Sequence, residues 1–239
     1  MQATNGEFEP PTTNYEPGAT DIGEYLVSSR SLAEYRAMFA LSDADLAGRI
    51  LDCPGGAASF TAEVGDRVLA VDPVYAGDRR ALAAHARAEI DRVQAWVQAN
   101  PDRYVWDFYG SRADYVRTRA AGAQRFATDL LEHPHRYRAM SLPSLPLGDA
   151  EFDLALCSHL LFTYADRLGF DFHLAALIEL ARVAREVRVF PLVDLNGGRL
   201  DAMVEQLRGA LAERGIATAL RPVEFEFQRG VRTMLVVNV

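Results

Sequence analysis

The sequence predicts an α/β fold: a doubly wound, mostly parallel seven-stranded sheet that ends in an antiparallel hairpin and carries a helical insertion. Three observations predict it. Short apolar runs alternate with segments of helical period, the pattern of a sheet wound through crossover helices. The first two runs, ending at Asp52 and Asp72, enclose one short helical segment, as a parallel strand-helix-strand unit requires. The last two runs, "TALRPVEFEF" and "TMLVVNV", are joined by "QRG" with no helix between them, so they pair antiparallel.

Taken in order, residues 1–20 are rich in Pro, Thr, Glu and Gly without a period, which reads as a flexible or draped arm; the arm is expected over 1–30 and a single domain over 31–239. "SLAEYRAMFAL" is an amphipathic helix, with Ser31 as N-cap, Glu34 as its capping-box partner, and Leu32, Tyr35 and Phe39 on one face. "GRILDC" is a buried strand, Ala57 to Val64 fits a short helix, and "DRVLAVDP", Asp66 to Pro73, is a second strand. "YRAMSL" is a further strand, the Ser/Leu-Pro pairs after it form a loop, and "FDLALCS", Phe152 to Ser158, is an apolar strand for the middle of the sheet. A helix from about Phe172 to Ala184, the strand "EVRVFPLV", and a helix within "GGRLDAMVEQLRGALAERG" that ends at Gly215 lead to the terminal hairpin.

Between Pro73 and Ala139 the alternation is interrupted. Leu82, Ala86, Ile90, Val93 and Val97 recur at helical spacing, as do Val116, Ala120, Ala123, Ala127 and Leu130, so two helices are inserted at 73–139. The connector "NPDRYVWDFYGS" holds Tyr104, Trp106, Phe108 and Tyr109. The insertion reads either as a lid with an aromatic acceptor pocket or as a packed addition whose aromatic residues anchor it to the body.

Composition excludes several functions. All 25 basic residues are Arg, so no lysine Schiff base or P-loop is available. The net charge is -8; the insertion carries 11 Arg against 8 acids, a mildly basic segment on an acidic body, which is a poor nucleic-acid binder. The two cysteines, Cys53 and Cys157, read as buried thiols rather than a disulfide or zinc site. "HPH" at His133 to His135, with Asp171 and His173, has no metal-site spacing, and no metal is expected. No apolar run is long enough for a membrane helix, and the N-terminal stretch lacks the basic start and apolar core of a signal peptide, so the expected location is cytoplasmic.

The stretch "ILDCPGGAASF" stops a strand at Asp52, turns on Gly55 and Gly56, and restarts with small residues. At the carboxyl end of a first parallel strand this is a place for a ligand, with glycine allowing close approach and a following helix offering N–H donors. Asp72, closing the second strand, is placed for a ribose diol. Together they read as a nucleoside cradle.

These residues resemble the class I S-adenosylmethionine-dependent methyltransferases, whose first motif is an acid, any residue, then Gly-x-Gly-x-Gly. Here the acid is Asp52, Pro54 stands for the first glycine, Gly56 matches the second and Ala58 stands for the third. "SLPSLPLGDAEFDLALCSHLLFTY" is similar to the family's stretch from adenine loop to fourth strand, and the likeness spans about residues 31–239 apart from the insertion. The resemblance implies a Rossmann-like domain binding S-adenosylmethionine. Asp52, Cys53, Pro54, Gly55 and Gly56 would surround the methionine and sugar, and Asp72 with Pro73 the ribose. Ser141 and Leu142 would meet the adenine edge, with Ser158 and His159 beside the sulfonium and acceptor. The family's Asn/Asp-Pro-Pro-aromatic motif is absent, since that position reads "SHLLF", which argues against methylation of nucleobase amines. His159 is the candidate base, and a histidine used only in the turn or against cofactor is the other reading.

Methyl transfer to an unidentified small-molecule acceptor is therefore the expected activity. Two alternatives fit the same cradle: a nucleoside-binding module without transfer, and a nicotinamide-dependent oxidoreductase, although G-x-G-x-x-G is missing. Three further residues, Tyr25, Arg30 and Tyr35, would close over the cofactor's carboxylate if the first helix caps the site, and otherwise read as exposed. Asp194 and Asn196 are acceptor contacts or a turn.

Overall fold

The structure, a computed structural model, describes residues 25–238. Most of the arm expected over 1–30 lies outside the described residues. The strands are β1 (Ile50–Asp52), β2 (Val68–Val71), β3 (Tyr137–Arg138), β4 (Phe152–Ser158), β5 (Ala184–Phe190), β6 (Ala217–Pro222) and β7 (Thr233–Asn238). The helices are α1 (Leu32–Phe39), α2 (Asp43–Ala47), α3 (Phe60–Val64), α4 (Arg79–Ala99), α5 (Arg112–Glu132), α6 (Phe170–Val183) and α7 (Asp201–Ala212). They build one seven-stranded sheet of order β3-β2-β1-β4-β5-β7-β6. β1 to β5 are parallel, while β7 runs antiparallel to both β5 and β6. This is the Rossmann-like architecture with an antiparallel end that the sequence predicts, and the winding reverses between β1 and β4.

Period-two alternation divides the strands between two apolar layers. Leu51, Ala155, Cys157, Val187, Val189 and Leu235 face a core completed by Leu177 and Leu180 of α6 and Leu207 and Leu211 of α7. Ile50, Leu154, Leu156, Met234 and Val236 face the other, with Phe39 of α1 and Phe60 of α3. A third cluster joins Leu82 and Ala86 of α4, Phe126 and Leu130 of α5, and Tyr75 and Tyr137 beside β2 and β3. Each fully buried large side chain contributes about 1.5–3 kcal/mol. The inserted helices are held where their stripes are buried, at Leu82, Ala86 and Val97 and at Ala123, Ala127 and Leu130, while Ile90, Val93 and Val116 are half-buried and Ala120 is exposed.

Several boundaries move for local reasons. The short helix expected from Ala57 begins at Phe60, because the Ala58 N–H turns back to Gly55 O (3.0 Å) and the Ser59 N–H goes to Arg30 O (2.8 Å). β2 occupies only 68–71 of the expected 66–73, and β3 only 137–138 of "YRAMSL". α2, with its own capping box of Ser42 and Asp45, was not expected. The hairpin is the largest departure: β6 ends at Pro222, and the following segment leaves the sheet to pair with the insertion's connector. There the Val105 N–H donates to Phe227 O and the Arg229 N–H to Arg103 O, each at 2.9 Å.

Candidate functional site

The carboxyl edge of β1 and β2 builds the turn expected to cradle a nucleoside. The Asp72 carboxylate accepts from the Gly56 N–H through Oδ2 and from the Val74 N–H through Oδ1, both at 3.0 Å. Burial pushes Asp72 up to about 6, and those two backbone donors offset only part of the shift. A Cβ at Gly55 would lie 2.6 Å from the Tyr75 hydroxyl oxygen and 2.8 Å from Ala70 Cβ, so glycine is demanded there by the turn's own packing on β2. Tyr75 then donates to Gly56 O at 2.8 Å, and Gly56 takes a positive φ of 50°.

Asp52 is fully buried and receives the Tyr35 hydroxyl at 2.9 and 3.1 Å from its two oxygens. Burial raises its pKa well above the carboxylate range, the Tyr35 bond pulls it back in part, and the Asp72 charge raises it further. Cys53 and Cys157 are buried free thiols; burial raises both, aided at Cys53 by the Cys157 thiol and the Asp72 and Asp52 charges, while at Cys157 the Leu161 backbone hydrogen bond offsets part of the rise, to about 12. Around them, Pro54 is partly buried, Leu142 and Ser158 are buried, and Pro73 and Ser141 are exposed.

Residues 25–31 form a strap across this edge. The Leu26 N–H donates to the Tyr164 hydroxyl (2.8 Å), Ser28 backbone lies 3.7 Å from where a Gly56 Cβ would stand, and Arg30 O takes the Ser59 N–H (2.8 Å). The free helix donors expected after Gly56 are thus partly used by the chain itself. Ser29 Oγ donates to Arg119 O of α5 at 2.8 Å, and Arg119 Nη1 donates back to Ser29 O. Arg30 and Tyr35 are buried rather than exposed, whereas Tyr25 stays 44% exposed against the Tyr164 ring.

Beside the strap, between α4, the connector and the turn after β4, lies a cleft of about 860 Å³ including its open mouth. Trp96, Tyr104, Tyr115 and Phe227 supply its apolar wall, and Arg30, Glu89, Arg119, His159 and Thr163 its polar groups. His159 follows β4 with φ of 53° and lies with Nδ1 2.9 Å from Ser158 Oγ. Burial, then the charges of Arg30 and Arg119, depress its pKa well below 6.5, so the imidazole is neutral.

Glu34 organises the cations. Its Oε1 accepts from Tyr109 Oη at 2.7 Å and from Arg119 Nη2 at 2.8 Å, while Oε2 accepts from the Ser31 N–H at 2.8 Å. Burial alone would raise this acid, but Arg119 and Arg30 bring it below its ordinary value. Arg30 lies 3.6 Å from the same Oε1. Burial first, then Arg119, lower the Arg30 pKa against the pull of Glu34.

In the connector, Tyr104, Trp106 and Tyr109 pack on Phe227, with ring centroids 4.6–5.7 Å apart, and Tyr104 also lines the cleft. Asp194 makes a turn, accepting the Asn196 and Gly198 N–H groups at 2.8 Å. His133 pairs with Asp129 and His135 with Asp66, while buried His173 bonds Gly169 O. Among the described residues no group of His, Cys, Asp or Glu side chains is arranged to hold a metal, and no helix is long and apolar enough to cross a membrane.

Sequence reasoning did not single out Arg119, Glu89 or Thr163. A signal existed for the first two. Arg119 stands three after Val116 and four before Ala123, and Glu89 three after Ala86 and four before Val93, so both charges fall on the apolar stripes of their helices.

No family model matches the chain. It is 23% identical over 225 residues to an uncharacterized protein of Methanocaldococcus jannaschii, covering 91% of this chain and 98% of that protein. Among solved structures it is similar to the magnesium protoporphyrin IX methyltransferase of Synechocystis, solved with bound S-adenosylmethionine (14% identity, 82% of this chain and 73% of that one, TM-score 0.43). It is also similar to the 1,6-didemethyltoxoflavin-N1-methyltransferase of Burkholderia thailandensis (15% identity, 86% and 77%, TM-score 0.46).

Proposed function

We propose that the protein is an S-adenosylmethionine-dependent methyltransferase acting on a small molecule held beneath α4 and α5. One observation carries this reading: the carboxyl edge is divided into two compartments, a Gly-Gly turn against the Asp72 carboxylate and a separate aromatic cleft beside His159. Group transfer from a nucleoside donor to a second molecule needs both. The donor's fit is tested by Asp72. Its carboxylate is buried, its two backbone donors leave it short of compensation at a pKa of about 6, and each oxygen retains a lone pair for a ribose hydroxyl.

In this reading Asp72 and Pro73 hold the ribose, Asp52 to Gly56 line the sugar and methionine side, and Ser141 and Leu142 meet the adenine. Once bound, the cofactor supplies a methyl group on a sulfonium, transferred by in-line displacement. The chain's part is to align the acceptor and exclude water, which the aromatic wall supports. Where the acceptor's nucleophile carries a proton, neutral His159 receives it at Nε2, with Nδ1 directed to Ser158 Oγ. The inserted helices act as the roof that closes over the acceptor.

A second reading, a binding module without transfer, is favoured by the strap's approach to Gly56 and by the burial of Asp52 under Tyr35. Isothermal titration with S-adenosylmethionine, S-adenosylhomocysteine and NADH decides among the readings. Micromolar binding of the first two without NADH supports the methyltransferase, and an acceptor screen then separates it from the module. NADH binding alone would transfer the assignment to an oxidoreductase, and no binding of any would remove the cradle.

A further inference from the structure

We infer that the cleft beneath α4 and α5 recognises an acceptor with an apolar, aromatic-sized body and one carboxylate-type anionic group, which Arg30 and Thr163 receive. The word acceptor rests on the methyltransferase reading; the anion site itself does not. Arg30 is 9% and Thr163 6% exposed, and both line the cleft. Arg30 Nε and Nη1 and Thr163 Oγ1 are buried without a hydrogen-bond partner, as is Nε of Arg119 in the same wall. Buried donors are nearly always paired, so this concentration of donors without hydrogen-bond partners points to a ligand.

The protein's own acids are already committed. Glu34 is saturated by Tyr109, Arg119 and Ser31, and approaches Arg30 only to 3.6 Å. Glu89, the acid in the cleft wall, is paired with Arg92 and lies 3.6 Å from His85. An incoming anion would therefore meet guanidinium donors that hold no hydrogen bond, with Arg30 drawing so far on Glu34 at 3.6 Å. The remaining wall is apolar, with Val93, Trp96, Tyr115 and Phe227, which fits a flat hydrocarbon body. The anion belongs to the second substrate and not to the donor's own carboxylate, because none of Asp52, Cys53, Pro54, Gly55, Gly56 and Asp72 lines this cleft.

The test uses the full chain and three aromatic carboxylates, benzoate, phenylacetate and indole-3-acetate, each against its primary amide. Binding is followed by calorimetry and by melting temperature, up to about 5 mM, a concentration that still reads the millimolar range. The expected result is that at least one carboxylate binds and its amide binds ~10-fold more weakly or worse, because a site built for a charged partner rejects its neutral isostere. Arg30→Gln should abolish that preference, the carboxylate losing far more affinity than its amide, and Thr163→Val should weaken the carboxylate several-fold. Arg30→Lys, which keeps the charge, covers the case in which Arg30→Gln fails to fold, and should retain the preference. Absence of carboxylate binding, equal affinity for amides, or a preference that survives Arg30→Gln would overturn the proposal.

The source of the anion is decided by repeating the titration with saturating S-adenosylhomocysteine or 5'-methylthioadenosine. Carboxylate binding that persists with both supports the acceptor. Displacement by S-adenosylhomocysteine but not by the nucleoside lacking a carboxylate would assign Arg30 to the donor and sink the inference. Failure of S-adenosylhomocysteine to bind at all is a separate result that strikes the methyltransferase reading while the carboxylate titration still judges the anion site.

Discussion

The two compartments of the carboxyl edge are built on opposite principles. In the cradle every acid is engaged by the chain itself: Asp72 holds Gly56 and Val74, and Asp52 holds Tyr35. At the cleft, the lining guanidiniums of Arg30 and Arg119 share the buried Glu34 carboxylate, which does not itself line the cleft, and Arg30, Arg119 and Thr163 each keep a buried donor without a hydrogen-bond partner. The cradle is preformed by internal bonds, whereas the cleft keeps buried donors without a hydrogen-bond partner. Backbone donors shape the first and long side chains from distant segments shape the second, so different substitutions should break them.

The largest effect is expected at the joint of the cleft. Glu34→Gln removes the negative charge between Arg30 and Arg119 while keeping the side chain's size, leaving two buried cations facing each other. A broken buried pair of this kind costs about 3–5 kcal/mol. Urea unfolding should show a loss of that order, with the cleft and the strap affected together. A loss under about 1 kcal/mol would mean that water reaches the arginines and that the contrast between the compartments is overstated.

The cradle should answer to pH instead. If the proposed function holds, Asp72→Ala removes two hydrogen bonds from ribose hydroxyls, each bond to a charged group contributing about 1.5–3 kcal/mol, so S-adenosylhomocysteine affinity should fall about a hundredfold or more by titration. With a folded-state pKa of about 6, above the value near 3.8 of an ordinary aspartate, the ionised form is the disfavoured one. The penalty on folding is absent below the lower value and grows as pH rises through 6. Donation from a ribose diol reverses that preference, so binding releases a proton, and affinity should climb up to about tenfold between pH 5 and 7. Asp72→Asn should show no such rise, and a flat wild-type profile would place the ribose elsewhere.

What was legible in the sequence follows the same division. β4 falls on Phe152–Ser158 as the apolar run indicates, and the Ser31–Glu34 capping box stands as expected, since both are written within a few residues of chain. The turn after β1 was visible as Gly-Gly, yet the need for Gly55 comes from Tyr75 and Ala70 pressing from within, and this is a packing fact that no local pattern carries. Arg30 and Tyr35 read as exposed unless the first helix caps the site, because the groups that bury them come from elsewhere. Tyr35 of α1 meets Asp52 at the end of β1, 17 residues on, and Arg30 sits in a strap whose clamp, Arg119, is 90 residues away from Ser29. Glu34 looked like a cap alone; its second oxygen reaches Tyr109, 75 residues on.

The strap is the one element that both compartments share, and Ser29 tests whether it couples them. Its hydroxyl donates to Arg119 O at 2.8 Å in a buried setting, while the neighbouring Ser28 backbone approaches Gly56 and Arg30 O holds Ser59. Ser29→Ala deletes one neutral hydrogen bond and leaves Arg119 O short of that donor, a cost of about 1 kcal/mol, the smallest of the effects foreseen. The global loss should therefore be modest. Amide hydrogen exchange should nevertheless quicken at Leu26, which is tied to Tyr164, and at Ser59, which is tied to Arg30, since both bonds depend on the strap's position. Exchange that quickens at Leu26 alone would mean that the strap is held piecewise, and the cradle and the cleft would then open independently.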